Sequence, residues 1–143
     1  MFGPNHPRLT STNFAITSVQ TIDYNCIAWA AGQTDRWWWP IPFFYYWPDG
    51  APRQVTVNAF EQAFATLGFE SCPDGQLEAG FEKIAIYART GVPTHAARQL
   101  GDGRWTSKMG SEFDIEHADV NDVSGPGYGA PVTFMRRRIP VMT

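Results

Sequence analysis

The stretch YNCIAWA (Tyr24–Ala30) places a cysteine at the start of a short run of good helix formers, with Gly32 as a natural stop just beyond it. Asn25 precedes this run, and its side chain can accept hydrogen bonds from the free N–H groups of a first helical turn. The positive end of a helix dipole favours the thiolate form of Cys26, which is the nucleophilic form. The stretch therefore indicates either a nucleophile at a helix start or a small buried apolar residue.

Length and composition limit the class of protein. The chain has 143 residues, which fits one domain over 1–143, and residues 1–20 are rich in Pro, Asn, Ser and Thr, as in an extended lead-in. A net charge of −3 argues against a nucleic-acid partner. No stretch is apolar for long enough to span a membrane, and the N-terminus lacks the pattern of a secretory signal. We therefore expect no membrane partner and a cytoplasmic location, with export by a signal-less route as the alternative.

The pattern of apolar residues predicts helices first and strands afterwards. Residues 58–67 have the spacing of an amphipathic helix, with Asn58 and Glu61 as a capping box. Antiparallel strands are then expected, with a hairpin at Gly101–Gly103, a last strand that Pro131 places at a sheet edge, and a basic strand end. One helical turn is expected within Asp114–Val123, and the basic run Arg136–Arg138 is expected to be solvated. The expected strands are Phe14–Ile16, Lys83–Ala88, Thr94–Leu100, Arg104–Met109 and Ala130–Met135. This order predicts an α+β fold in which the cysteine helix lies on an antiparallel sheet.

A dense aromatic loop, Trp37–Trp47, directly follows the cysteine helix. Its prolines exclude a regular helix or a central strand. Such a loop can cover the core, line a substrate groove or contact a partner, because large rings offer much contact area at little entropic cost. Its position next to Cys26 is what favours the groove.

A cysteine nucleophile needs a nearby base, and histidine is the usual one because its pKa lies near neutrality. His6 lies in the lead-in, and His117 lies in a polar stretch. His95 directly follows Gly91–Thr94 and is expected to open a strand, so its ring can stand at the end of the sheet beside a helix start. Position therefore favours His95 as the base, although an ordinary partly buried strand residue is the simpler alternative.

This order of a cysteine at a helix start and a histidine at a hairpin start resembles the papain-like cysteine hydrolases, with the NlpC/P60-type amidases and peptidases closest in size. The stretch HAARQLGDGRWTS (His95–Ser107) carries the likeness. By that resemblance Ser107 takes the third, orienting position, where those families usually have histidine or asparagine. Asp114, Glu116 and His117 are the alternatives for that position. The chain also resembles an uncharacterised bacterial family with similar NCIAWA, HAARQL and WTSK stretches.

The resemblance implies a papain-like fold and acyl transfer without a cofactor. Cys26 would attack an amide or ester carbonyl, His95 would take the thiol proton, and Ser107 would orient His95. The Cys26 N–H would be one oxyanion donor, with Asn25 or Gln20 as a second. The substrate would be a peptide or another amide, in a protein or in peptidoglycan, and peptidase, amidase, deamidase and transferase chemistry all fit.

Two other functions compete with the hydrolase. A non-catalytic module could recognise protein or glycan through Trp37–Trp47, with Cys26 as a packing residue. A metal site would draw on Cys26, Cys72, His95 and His117, but their spacing matches no common ligand motif, so we expect no bound metal.

Overall fold

The computed structural model describes residues 5–41, 44–109 and 113–140. Its centre is a seven-stranded antiparallel sheet in the order β1-β6-β5-β4-β3-β7-β2. The strands are β1 (Phe14–Ile16), β2 (Glu70–Cys72), β3 (Phe81–Arg89), β4 (Val92–Gln99), β5 (Trp105–Lys108), β6 (Asp114–His117) and β7 (Ala130–Arg138), and the helices are α1 (Cys26–Ala30) and α2 (Val57–Ala65). The predicted α+β class is confirmed in this broad sense. None of the helices in the described ranges has the length and apolar character needed to cross a membrane.

The two faces of the sheet are covered by different parts of the chain. The helix face lies under α1, α2 and the aromatic loop, and Ile84, Ile86 and Ala96 are buried there. The lead-in face lies under the N-terminal residues and a 3₁₀ turn at Val120–Val123. Because successive side chains of a strand point to opposite faces, the neighbours Ala85, Tyr87 and Ala97 belong to the lead-in face.

The residues before α1 are tied to β5 and β6. The Tyr24 hydroxyl donates to Asp114 Oδ2 at 2.5 Å, and buried Lys108 donates from Nζ to Thr21 O at 2.8 Å. Burial, together with the Asp114 carboxylate, raises the pKa of Tyr24 to about 12, so its hydroxyl stays a donor at neutral pH. These contacts fix where α1 begins, and with it the position of Cys26.

The second helix differs from the prediction in its cap. Thr56 is the N-cap, because its side chain accepts from Ala59 N at 3.1 Å. Asn58, the predicted cap, lies inside the helix, where its Oδ1 accepts from Gln62 Nε2. The capping-box prediction was wrong because threonine two residues earlier satisfies the same orphan N–H group.

The start of β4 also differs from the prediction. Arg89 pairs with Val92, so Thr90 and Gly91 form a two-residue turn, and both have the positive φ (49° and 81°) that a type I′ hairpin requires. His95 is therefore the fourth residue of β4 and does not open the strand. Thr94 lies at a bulge, since Tyr87 pairs with His95 while Ala88 pairs with Pro93.

The C-terminal half contains more sheet than expected. The first four residues of the polar stretch Asp114–Val123 form a strand, β6, and the expected helical turn follows as the 3₁₀ turn. The last strand, β7, does not lie at the edge, because β2 pairs with it over Phe134–Arg136. The prediction that the last strand lies at an edge was therefore wrong. Pro131 itself lies outside the pairing with β2, where its missing N–H costs no hydrogen bond to that strand.

Two arginines of the basic run at the end of β7 form ion pairs, whereas the sequence predicted a solvated run. Arg136 forms ion pairs with Glu70 and Glu78, and Arg137 pairs with Glu82. Glu70 lies on β2, Glu82 lies on β3 and Glu78 lies between these strands. The sequence pattern did not predict that they lie beside the end of β7. They leave Arg138 as the member of the run without a carboxylate partner among the described residues.

The cap of α1 serves the loop as well as the helix. Asn25 is 4% exposed, and its Oδ1 accepts from Ala28 N at 3.1 Å, which confirms the predicted cap. The same Oδ1 accepts from Trp38 N at 3.0 Å, and Nδ2 donates to Trp38 O at 2.8 Å. Three hydrogen bonds from one side chain therefore join the helix start to the aromatic loop.

Asn25→Ala is expected to lower the free energy of unfolding by about 2–4 kcal/mol, because it removes a cap and leaves buried Trp38 main-chain groups without partners. Thr56→Ala, which removes only a cap, is the matched control and is expected to cost about 1 kcal/mol. Urea unfolding of both variants measures the difference. Equal losses would contradict a structural role of Asn25 beyond capping.

Candidate functional site

A cleft of about 320 Å³ opens above Cys26 on the helix face. It is bounded by the start of α1, the aromatic loop, the start of β4 and the turn that precedes β7. Most of its lining is aromatic or aliphatic, with few polar groups: Asn25, Cys26, Trp37, Trp39, Ile41, Tyr45, Thr94 and Tyr128. An apolar concavity with a small number of polar groups is the usual form of a ligand site.

Cys26 forms part of the cleft lining as the first residue of α1, and its side chain is 8% exposed. Its Sγ lies 4.0 Å from Thr94 O, so the thiol faces the main chain of β4. Burial is the largest influence on this group and raises its pKa to about 11. The sequence favoured a thiolate, but desolvation outweighs the dipole of a helix of only five residues.

His95 points away from Cys26. It pairs with Tyr87 and shares the lead-in face with it, whereas its neighbour Ala96 faces α1. The imidazole is fully buried, with the Tyr128 ring stacked on it at 4.0 Å and the Tyr87 ring edge-on at 5.1 Å. Burial holds its pKa well below the usual range, so it is neutral at pH 7. The backbone of β4 thus separates imidazole and thiol.

Ser107, which the sequence predicted as the orienting residue, lies on β5 within hydrogen-bond distance of His95. Its Oγ is 3.0 Å from His95 Nε2 and 2.8 Å from His117 Nε2, and His117 Nδ1 lies 2.9 Å from Asp119 O. The alternatives Ser107 and His117 thus belong to one chain of hydrogen bonds. Asp114, another alternative, faces Tyr24 on the other side of the sheet.

This chain of hydrogen bonds determines which nitrogen of His95 carries its proton. The Asp119 carbonyl can only accept, so neutral His117 carries its proton on Nδ1 and accepts at Nε2 from the Ser107 hydroxyl. Ser107 Oγ then accepts from His95 Nε2–H. His95 Nδ1 is left as a buried lone pair without a hydrogen-bond partner among the described residues, and an unprotonated nitrogen is the form that a general base needs.

The remaining candidates are dispersed. Cys72 lies on edge strand β2, and the Asn25 amide, a proposed oxyanion donor, is already bound to Trp38 O. Within the described ranges no three His, Cys, Asp or Glu side chains converge as metal ligands. The four residues of the metal alternative lie on both faces and at an edge, so the structure does not bring them together.

Tyr128 and Thr94 are the site residues that the sequence reasoning missed. Tyr128 borders the cleft and also stacks on His95, and its carbonyl accepts from Thr94 Oγ1 at 2.5 Å. It belongs to the glycine-rich segment Gly125–Gly129, which the sequence indicates only as a turn. A lone tyrosine among glycines is the one signal that could have marked it.

Comparison with protein-family models assigns the chain to a family. A family profile described as "Domain of unknown function (DUF7689)" matches residues 15–136, which include the cleft, Ser107 and both strand histidines. The chain belongs to this family. Comparison with curated proteins and with solved structures found no match.

The raised pKa of Cys26 in this DUF7689 protein can be tested by alkylation. With a pKa of about 11, about one Cys26 side chain in ten thousand is a thiolate at pH 7, and the fraction rises tenfold per pH unit. Iodoacetamide is therefore expected to label the more exposed Cys72 first at pH 7 and Cys26 only as the pH approaches 10. Mass spectrometry of Cys26→Ser and Cys72→Ser assigns the rates. Fast labelling of Cys26 that levels off below pH 8 would contradict the raised pKa.

Proposed function

We propose that the protein binds a peptide or a related amide by taking one apolar side chain into the cleft above Cys26. The observation that carries this proposal is the lining of the cleft. Trp37, Trp39, Ile41 and Tyr45 surround a volume of about 320 Å³, which suits one aromatic or branched aliphatic group. Rings and aliphatic side chains attract such a group by removing apolar surface from water.

The polar residues of the cleft lining are Asn25, Cys26 and Thr94. Asn25 precedes the thiol-bearing residue and Thr94 O lies 4.0 Å from its Sγ, and the side chains of Asn25 and Thr94 already form hydrogen bonds with the main chain. The cleft therefore recognises shape and apolar area more than a pattern of hydrogen bonds. A weak, aromatic-selective affinity is the expected result for a small probe.

N-acetyl-tryptophan amide is the probe for this proposal, with binding followed by NMR chemical shifts. Ile41→Ala is expected to weaken binding about three- to tenfold, since it removes apolar contact area from the cleft wall. Val132→Ala is the matched control, because Val132 is similarly exposed but lies on β7. Equal effects of the two substitutions, or no binding to the wild type, would refute the proposal.

A second candidate is cysteine-dependent acyl transfer of the papain-like or NlpC/P60 type, and the protonation of His95 favours it. The bare Nδ1 would take the Cys26 proton, and the thiolate would attack an amide carbonyl to form a thioester. His95 would return the proton to the leaving amine, and water would then release the acid and restore the thiol. This function requires the imidazole and the thiol to meet on one side of β4, so Tyr128 would have to leave its place on the ring of His95.

Incubation with N-acetyl-phenylalanine p-nitrophenyl ester separates the two candidates. If acyl transfer operates, intact mass spectrometry is expected to find an acyl group that is absent from Cys26→Ala, at least about tenfold slower to form in Ser107→Ala, and unchanged in the control Cys72→Ala. Equal rates in Cys26→Ala and the wild type would exclude a nucleophilic Cys26 and leave the binding function.

A further inference from the structure

A second concavity lies next to the cleft above Cys26. This concavity, which we term the aromatic groove, has a volume of about 550 Å³ and is lined by Ile22, Arg36, Trp37, Phe44, Tyr45 and Tyr46. It shares Trp37 and Tyr45 with the cleft. Their rings are stacked with centroids 5.7 Å apart and planes at 22°, so they form one wall with a concavity on each side.

The aromatic groove exposes more apolar surface than packing requires. Phe44 is 78% exposed and Ile22 is 71% exposed, and both belong to its lining. The Trp37 indole N–H donates to Ile22 O at 2.6 Å, which holds these two lining residues together. Contiguous exposed apolar residues of this kind mark binding surfaces.

Arg36 supplies the charge of the aromatic groove. Its guanidinium carbon lies 3.6 Å from the centroid of the Tyr46 ring, which holds the group over the groove. Within the described ranges, ion pairs with carboxylates are formed by Lys83, Arg136 and Arg137, and no described carboxylate lies at ion-pair distance from Arg36. A fixed guanidinium without an acidic partner is suited to bind a carboxylate.

We propose that the cleft and the aromatic groove form one site for an extended acidic peptide segment. An apolar side chain enters the cleft, the backbone crosses the wall of Trp37 and Tyr45, and a nearby Glu or Asp side chain pairs with Arg36. The inference rests on the proposed function of the cleft and adds the class of ligand. A single cation among aromatic rings, in a chain of net charge −3, suits one carboxylate and not a polyanion such as nucleic acid or an anionic membrane.

The test uses N-acetylated, C-amidated hexapeptides that contain Phe and, two or three positions later, either Glu or Gln. Isothermal titration is expected to show about three- to tenfold tighter binding of the Glu peptides to the wild type. Arg36→Gln is expected to abolish this preference and Arg36→Lys to retain part of it. Arg53→Gln, at another exposed arginine, is the matched control and is expected to change nothing.

Each other outcome is decisive. Equal binding of Glu and Gln peptides, or a preference that survives Arg36→Gln, overturns the acidic ligand, while unchanged binding of N-acetyl-tryptophan amide would keep the cleft proposal intact. Failure of that amide to bind would overturn both proposals. If light scattering finds a dimer that Phe44→Ser converts to a monomer, the occupant is a second copy of the chain, which also overturns the peptide ligand.

Discussion

The hydrogen bonds of Asn25 are the interaction on which the rest of the site depends. One buried amide caps α1 and holds both polar main-chain groups of Trp38. The Asn25 side chain thereby joins the helix start to the aromatic loop, and both elements line the cleft. Two further hydrogen bonds, from Tyr24 to Asp114 and from Lys108 to Thr21, hold the residues before Asn25 against β6 and β5.

Strand β4 divides the chemistry of the molecule into two compartments. On the helix face the thiol of Cys26 borders an apolar cleft, and on the lead-in face a neutral His95 begins a hydrogen-bonded chain through Ser107 and His117. The division follows from local geometry, because the bulge at Thr94 and the pairing of His95 with Tyr87 decide which way the ring points. Tyr128 is the residue that both compartments share.

Much of the fold could be predicted from local signals. The cap at Asn25, the hairpin around Gly101–Gly103 and the strand within Phe81–Arg89 depend on a few neighbouring residues, and the sequence reports them well. Strand β6 was not predicted because three of its four residues are polar or charged, and β2 was not predicted because its three residues are mostly polar and pair with β7, far along the chain. The edge assignment of β7 failed because this pairing with β2 was not predicted.

The site was predicted in its parts more than in its arrangement. The proximity of the aromatic loop to Cys26 and the hydrogen bond between His95 and Ser107 agree with what the sequence indicated. The raised pKa of Cys26 and the direction of the His95 ring could not be predicted, since both depend on burial and on strand register. A type I′ turn at Thr90–Gly91 moved His95 three residues into its strand and thereby changed its surroundings.

The central claim is that β4 separates the imidazole of His95 from the thiol of Cys26 in the resting protein. Nuclear Overhauser effects of the His95 ring protons measure this directly. The account predicts strong effects to the Tyr87 and Tyr128 rings and to the Ser107 β protons, and none to the Cys26 β protons. A strong effect between the His95 ring and the Cys26 β protons would contradict the separation and place the two groups on the same side of the strand.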